Sequence, residues 1–311
     1  MSFGHNDHYA HSPMPQLFNK VMETKQVANI LKAPAPHMVG DGFRVHNFFP
    51  GGYKKINMSP FFLMDYGSKI EFSARKEPRG VGVHPHRGFE TVTIAYHGAV
   101  AHHDSAGNSG VIYPGDVQWM TAAGGILHKE YHEQNYSLTG GPFQMVQLWV
   151  NLPAKDKMSK PKYQAIKQSE MARFNLADHG GTIEIIAGKY EGITGNASTF
   201  TPIELYNARL NEGAQATFNF PEKYNTGFMV IEGKVKINNS EIAAADDFIH
   251  FGNTGEQILL EALSKSIVLI LSGEPINEPM VQYGPFLMNT EAEIQQAIED
   301  YNQGRFGYIE E

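Results

Sequence analysis

From Val27 onward no apolar stretch of this chain runs far before a turn residue interrupts it, and this constrains the fold more than any other feature. The segments "DGFRVHNFF" (41–49), "FETVTIAYHG" (89–98), "AVAHHD" (99–104), "GVIYPGDVQWM" (110–120), "GILHKEYHE" (125–133) and "PFQMVQLWVNL" (142–152) are divided by turns such as "DSAGNSG" and "YPGD". Short apolar runs of this kind, served by 31 glycines and 17 prolines, point to an all-β sandwich or barrel. None approaches the roughly 18 residues needed to span a membrane.

A chain of 311 residues exceeds the size at which one hydrophobic core usually stays single, so two domains are expected. The composition shifts at "PAKDKMSKPKYQAIKQSE" (153–170), which carries Lys155, Lys157, Lys160, Lys162 and Lys167. We therefore expect a flexible leader over 1–26, an N-terminal domain over 27–153, a linker over 154–170, a second domain over 171–288, and a helix with its tail over 289–311. The stretches "TVTIAYHGAVAHHDSAGNSGVIYPGDVQWM" and "GFMVIEGKVKINNSEIAAADDFIHF" both run strand, Gly turn, strand, turn, Asp, strand. Such a repeat suggests two stacked antiparallel barrels of one type. Near the end, Thr290 and Glu293 form a capping box, and Ile294, Ala297, Ile298 and Tyr301 follow at helical spacing up to Gly304, which predicts a short amphipathic helix packed on a barrel.

The first residues, with His5, His8 and His11, lack the basic start and apolar centre of a secretory signal, so a cytoplasmic protein is the simplest expectation. The absence of cysteine leaves only His, Asp, Glu or backbone oxygen for any metal. A formal charge of -8 without a basic run argues against direct nucleic-acid binding. No membrane contact is expected, and a monomer is the expected state.

"HPHRGFE" (84–90) places His84 and His86 two residues apart, on one side of a strand. Pro85 lacks an N–H and restricts this strand to an edge or an entry position. "HKEYHE" (128–133) offers a second wall, with His128 and Glu130 again two apart and His132 on the same parity. Taken alone, His84-Pro85-His86 reads first as a surface turn and His128-Lys129-Glu130 as a solvated strand edge. Together they offer three histidines and a carboxylate, a ligand set for Fe(II), Mn(II), Ni(II) or Zn(II). Neutral imidazoles need their other N–H satisfied, for which Gln118, Gln144, Gln147 or backbone carbonyls are candidates.

"HPHRGFETVT", "DSAGNSGVIYPGDVQWMTAAGGILHKE", "VQLWVNLPAKDK" and "GEPINEPMVQYGPFLMNT" together resemble the pirin family of the cupin superfamily, over about residues 27–307. The resemblance implies two stacked cupin (jelly-roll) barrels and one Fe(II) per chain, with Mn, Ni, Zn or Cu as other divalent candidates. By position it implies His84, His86, His128 and Glu130 as the metal ligands. Glu90, where the general cupin pattern has its glutamate, then becomes a supporting or structural residue. The second half has "PEKYNTG" where a His-x-His would stand, and its His250 is alone. The resemblance also implies a quercetin 2,3-dioxygenase-type activity that opens a flavonol ring with O2, with Glu130 as the catalytic base. Phe61, Phe62, Met64, Phe89, Trp119, Met120 and Phe143 are candidate pocket walls, and His102 is expected to point inward. A different class of function is also implied: a regulatory module that binds a transcription factor or a metabolic enzyme without turning over a substrate.

Overall fold

The computed structural model describes Met1 and residues 22–310, so His5, His8 and His11 lie outside the described residues. The first twelve strands are β1 (Val27–Leu31), β2 (His37–Val39), β3 (Phe43–Phe49), β4 (Phe61–Phe72), β5 (Gly80–His86), β6 (Phe89–His97), β7 (Val100–Asp104), β8 (Ser109–Ile112), β9 (Val117–Thr121), β10 (Ile126–His132), β11 (Gly141–Asn151) and β12 (Lys162–Ile166). A seven-stranded sheet in the order β12-β9-β6-β11-β4-β3-β2 and a four-stranded sheet in the order β5-β10-β7-β8 form the N-terminal barrel. Phe43, Val45, Ala95, Val100, Ile112, Phe143 and Met145 come from both sheets and meet between them.

The second half repeats this plan, with a seven-stranded and a four-stranded antiparallel sheet around a core of its own. The two seven-stranded sheets pack back to back. Phe48, Met64, Tyr66, Trp119 and Leu148 of the first half join Ile186, Leu205, Met229, Phe248 and Leu271 of the second in one continuous core. This explains why "FETVTIAY" is buried at every position and does not alternate: its strand is covered on both faces. The chain is thus all-β, two stacked cupin barrels with a short C-terminal helix.

Division by sequence and division by sheet differ at three places. β1 pairs with Phe248–Phe251 of the second barrel. Ahead of it, Lys25, expected in the leader, is buried and donates from Nζ to the Glu222 carbonyl at 3.0 Å. β12, within the expected linker, pairs with β9 of the first barrel. Edge-strand addition needs only exposed backbone groups, so neither event leaves a mark in the local sequence.

After the second barrel the chain returns to the first. Val281–Tyr283 and Phe286–Met288 form a hairpin, and Leu287 N–H donates to the Arg87 carbonyl at 3.0 Å. Helix α2 (Glu291–Asn302) follows, and both bonds of its Thr290–Glu293 capping box form. Ile294 and Ala297 pack with Phe286, Met288 and Phe306. Tyr301 is 42% exposed, and Asp300 takes a buried place instead, because the helix turns that carboxylate toward Arg87. An earlier short helix, α1 (Gln134–Thr139), is capped by the Glu133 side chain.

Candidate metal centre

β10 is one of the two inner strands of the four-stranded sheet and lies between β5 and β7. Its burial alternates strictly, so His128, Glu130 and His132 all face the barrel interior. β5 is the sheet edge, where Pro85 opposite Leu127 lacks an N–H without cost to the ladder. His128 sits directly across from His84, and a register shift between His128 and Glu130 sets Glu130 opposite Val81. On the other flank Glu130 lies across from His102.

The rings of His84, His86 and His128 converge, with centroids 4.2 Å apart for His84–His128 and 4.8 Å apart for His84–His86 and His86–His128. Among the described residues two groups bring three potential ligand atoms within 4.8 Å of one another: His84, His86 and His128, and His102, His128 and Glu130. They share His128. Glu130 reaches the first trio through this shared histidine and through a cavity that it lines together with His84.

His84 Nδ1 lies 2.8 Å from the Gly82 carbonyl and His86 Nδ1 lies 3.4 Å from the Pro285 carbonyl. Carbonyls only accept, so both Nδ1 atoms donate and both Nε2 lone pairs stay free. His128 is fully buried and its Nε2 has no hydrogen-bond partner. Burial, and then repulsion from neighbouring histidines, holds His86 and His128 well below the usual imidazole range. Neutral, buried imidazoles beside a carboxylate, one of them with an orphaned nitrogen, suit a divalent cation. The donor set does not select among first-row ions.

Glu130 is fixed by three donors. Thr93 Oγ1 and Gln118 Nε2 reach its Oε1 at 3.2 and 3.1 Å, and Gln147 Nε2 reaches Oε2 at 2.7 Å. Sequence alone makes Gln118 and Gln147 candidates for a histidine N–H, but Gln147 serves the carboxylate and Gln118 serves it together with His102. Gln144 faces the other barrel, where it donates to Tyr66 and the Ile231 carbonyl. Glu90 belongs to neither group of three. It is buried, accepts from Thr121 Oγ1 at 2.6 Å, and is pushed up to about 7 by burial. His132 donates from Nε2 to the Gly42 carbonyl at 2.8 Å and packs among Phe43, Phe72 and Phe143, away from the cluster.

The cavity beside His84 and Glu130 measures about 30 Å³ and is walled by Val39, Phe43, Val45, Val81 and Met145, with Asp65 and Gln147. None of the expected pocket residues lines it. Phe61, Met64 and Trp119 lie in the core between the barrels, on the opposite face of their sheet, and Met120 packs with Ala122 and Ile126. Phe143 belongs to the barrel interior with Phe43. Phe89 does come close, stacked on Trp149 at 4.2 Å and 5.0 Å from the His86 ring, and Phe62 stacks behind Trp149. Trp149, whose ring meets His86 edge to face with centroids 5.2 Å apart, carries no sequence signal beyond its place on an alternating strand.

Two stacked jelly-roll barrels, with a buried group of histidines and a carboxylate inside the first, define a bicupin with a candidate site for one divalent metal. The sequence pattern described as Pirin matches residues 42–150, and that described as Pirin C-terminal cupin domain matches residues 205–307. The chain belongs to the pirin family. The crystal structure of quercetin 2,3-dioxygenase from Acinetobacter baumannii is 44% identical, covers 93% of this chain and all of that one, and superposes with a TM-score of 0.87. Pirin-like protein 2 of Arabidopsis thaliana is 39% identical over 86% of this chain and 82% of its own length. Human pirin is 36% identical over 81% of this chain and 84% of its own. Among the described residues no helix is long and apolar enough to cross a membrane.

Proposed function

We propose that this protein is a divalent-metal-dependent oxygenase of the quercetin 2,3-dioxygenase type, with one metal, Fe(II) by family resemblance, held by His84, His86, His128 and Glu130. The observation that carries the reading is the buried Glu130 carboxylate, on one cavity with His84 and next to an imidazole with a free nitrogen. When bound, the metal would supply Lewis acidity that makes a flavonol 3-hydroxyl easier to ionise, together with the chemistry that admits O2. Glu130 accepts the 3-hydroxyl proton on a carboxylate oxygen. Gln118, Gln147 and Thr93 keep that carboxylate in one orientation, and the apolar wall of Val39, Phe43, Val45 and Val81 keeps water from the ionised substrate.

A cavity of about 30 Å³ holds a water molecule or two, whereas sites for drug-sized ligands measure about 300 Å³ or more. Flavonol entry therefore requires β2 and β3 to part from the edge strand β5, where half-buried His84 lies nearest to solvent. This same closure favours a second reading, in which the metal is a structural or sensing element of a regulatory protein and no substrate turns over. The two separate on incubating metal-loaded protein with quercetin under air. Substrate loss above the metal-free control is expected, and its absence would overturn the oxygenase reading in favour of the second.

A further inference from the structure

His84 and His86 each direct Nδ1 at a backbone carbonyl, but His128 has none: its Nδ1 lies 3.4 Å from Nδ1 of His102. Two ring nitrogens can face each other favourably only if one carries a proton and the other a lone pair. The surroundings decide which. Gln118 directs Nε2 at Glu130 Oε1, 3.1 Å away, and at His102 Nδ1, 3.3 Å away, while its Oε1 accepts from Tyr163 O–H at 3.3 Å. Reversing this amide would set oxygen against a carboxylate oxygen, so the amide N–H must face His102, and His102 Nδ1 must accept. On the other side of the ring, His102 Nε2 lies 3.3 Å from Asp104 Oδ2. The Asp104 carboxylate accepts, so Nε2 carries the proton. Both neighbours impose the same tautomer on a ring that is fully buried and stacked on Tyr163 at 5.1 Å.

We infer that His102, oriented by Asp104 and Gln118, is a positioning residue that fixes the proton of His128 on Nδ1 and leaves Nε2 as its lone-pair nitrogen. The inference rests on the reading of His128 as a metal-holding residue, and it deepens that reading. All three histidines of the first trio then present Nε2, two through carbonyls and the third through a His–Asp pair. It also decides between the two trios. His102 and His128 meet through their Nδ1 atoms. The His128 Nδ1 is protonated and cannot ligate, and the His102 Nδ1 lone pair is engaged by the His128 and Gln118 N–H groups, so His102 supports the centre and is not itself a ligand.

The test uses full-length protein, stripped of metal and labelled with ¹⁵N-histidine. The expected ring spectrum has His128 protonated on Nδ1 and His102 protonated on Nε2. Zn(II) titration then compares the wild type with Asp104→Asn. The substituted amide can keep its oxygen for the Ala106 and Asn108 N–H groups that Asp104 now accepts, while its nitrogen faces His102 with the wrong polarity. The expected result is Zn(II) affinity ten- to a hundredfold weaker, the usual effect of losing a group that orients a metal-binding histidine. A proton on Nε2 of wild-type His128 would overturn the inference, as would unchanged Zn(II) affinity in a folded Asp104→Asn protein. If that variant does not fold, the wild-type spectrum decides alone. Wild-type protein with the expected tautomers but no affinity for Zn(II) would support the positioning of His128 and overturn the metal reading instead.

Discussion

Arg87 and Asp300 are 213 residues apart in the chain, yet guanidinium and carboxylate meet at 2.8 Å with both side chains buried. Arg87 also donates from Nε to the Gly124 carbonyl at 2.8 Å and stacks over Phe306. Its neighbour in sequence is His86, so this pair fastens helix α2 behind the candidate metal centre. Removing one partner strands a buried charge, which typically costs about 3 kcal/mol or more. Asp300→Ala should therefore lower the urea midpoint of the whole protein and weaken metal binding. The hydrogen bond from Arg87 holds the Asp300 carboxyl below its usual range, so its contribution is present above the ordinary carboxylate pKa and is lost as pH falls. The variant and wild type should converge in stability under acid, as urea titrations at pH 7 and pH 3 will test.

Glu90 has the opposite sign. Burial raises its carboxyl from 4.5 to about 7 in the folded protein, so the folded state holds a proton that the unfolded chain releases first. Stability is therefore lost as pH rises from about 4.5 to about 7, a difference of roughly 3 kcal/mol. Glu90→Gln does not titrate and should be more stable than wild type at pH 8 while matching it at pH 4. Denaturation midpoints that differ equally at both pH values would refute this account of Glu90.

Lys157 lies in the expected linker but is buried, and its Nζ donates to the Gly88 carbonyl, Asn151 Oδ1 and the Leu287 carbonyl at 2.7, 2.6 and 2.8 Å. A methionine would fill the space and leave three acceptors unpaired, at about 1–3 kcal/mol each if none finds water. Lys157→Met should lower the melting temperature by several degrees, with the metal site intact at low temperature. Thermal unfolding followed by circular dichroism, together with metal analysis of the purified variant, measures both halves of this expectation.

His84→Ala should abolish stoichiometric metal, with the protein still folded, because His84 is the most solvent-accessible member of its trio. Elemental analysis reads this directly, and an unchanged metal content would refute the assignment of His84. In wild-type protein a chelator should lower the melting temperature, since a ligand that binds only the folded state stabilises it by mass action.

Glu130→Gln keeps the shape of the carboxylate and removes its basicity. If Glu130 takes the 3-hydroxyl proton, flavonol consumption should fall at least about a hundredfold, and more than metal content falls. Activity per bound metal equal to wild type would remove Glu130 from the proton transfer.

The sequence carries some of this structure plainly and some not at all. The His84/His86 and His128/Glu130 alternations are local consequences of the strand pleat, so the shared faces can be read directly, as can the Thr290–Glu293 cap. Interior wall residues are harder to read. Trp119 and Met64 are as apolar as Val45 and Met145, and only the stacking of two sheets sends the first pair to the core between the barrels and the second to the barrel interior. The placement of β1, Lys25 and β12 depends on backbone pairing with distant edges, which no side-chain pattern records. The partners of the histidines follow the same division. Gly82 is two residues from His84, whereas the Pro285 carbonyl reaches His86 across 199 positions.

That last contact bears on the order in which the molecule is made. A ribosome delivers His84, His86, His128 and Glu130 long before the Pro285 carbonyl that orients His86 and the Asp300 carboxylate that neutralises Arg87. A nascent chain that has passed Glu130 but not yet reached Pro285 therefore holds all four candidate ligands without the support behind them, so the candidate centre takes its final form only when distant segments have folded back onto it.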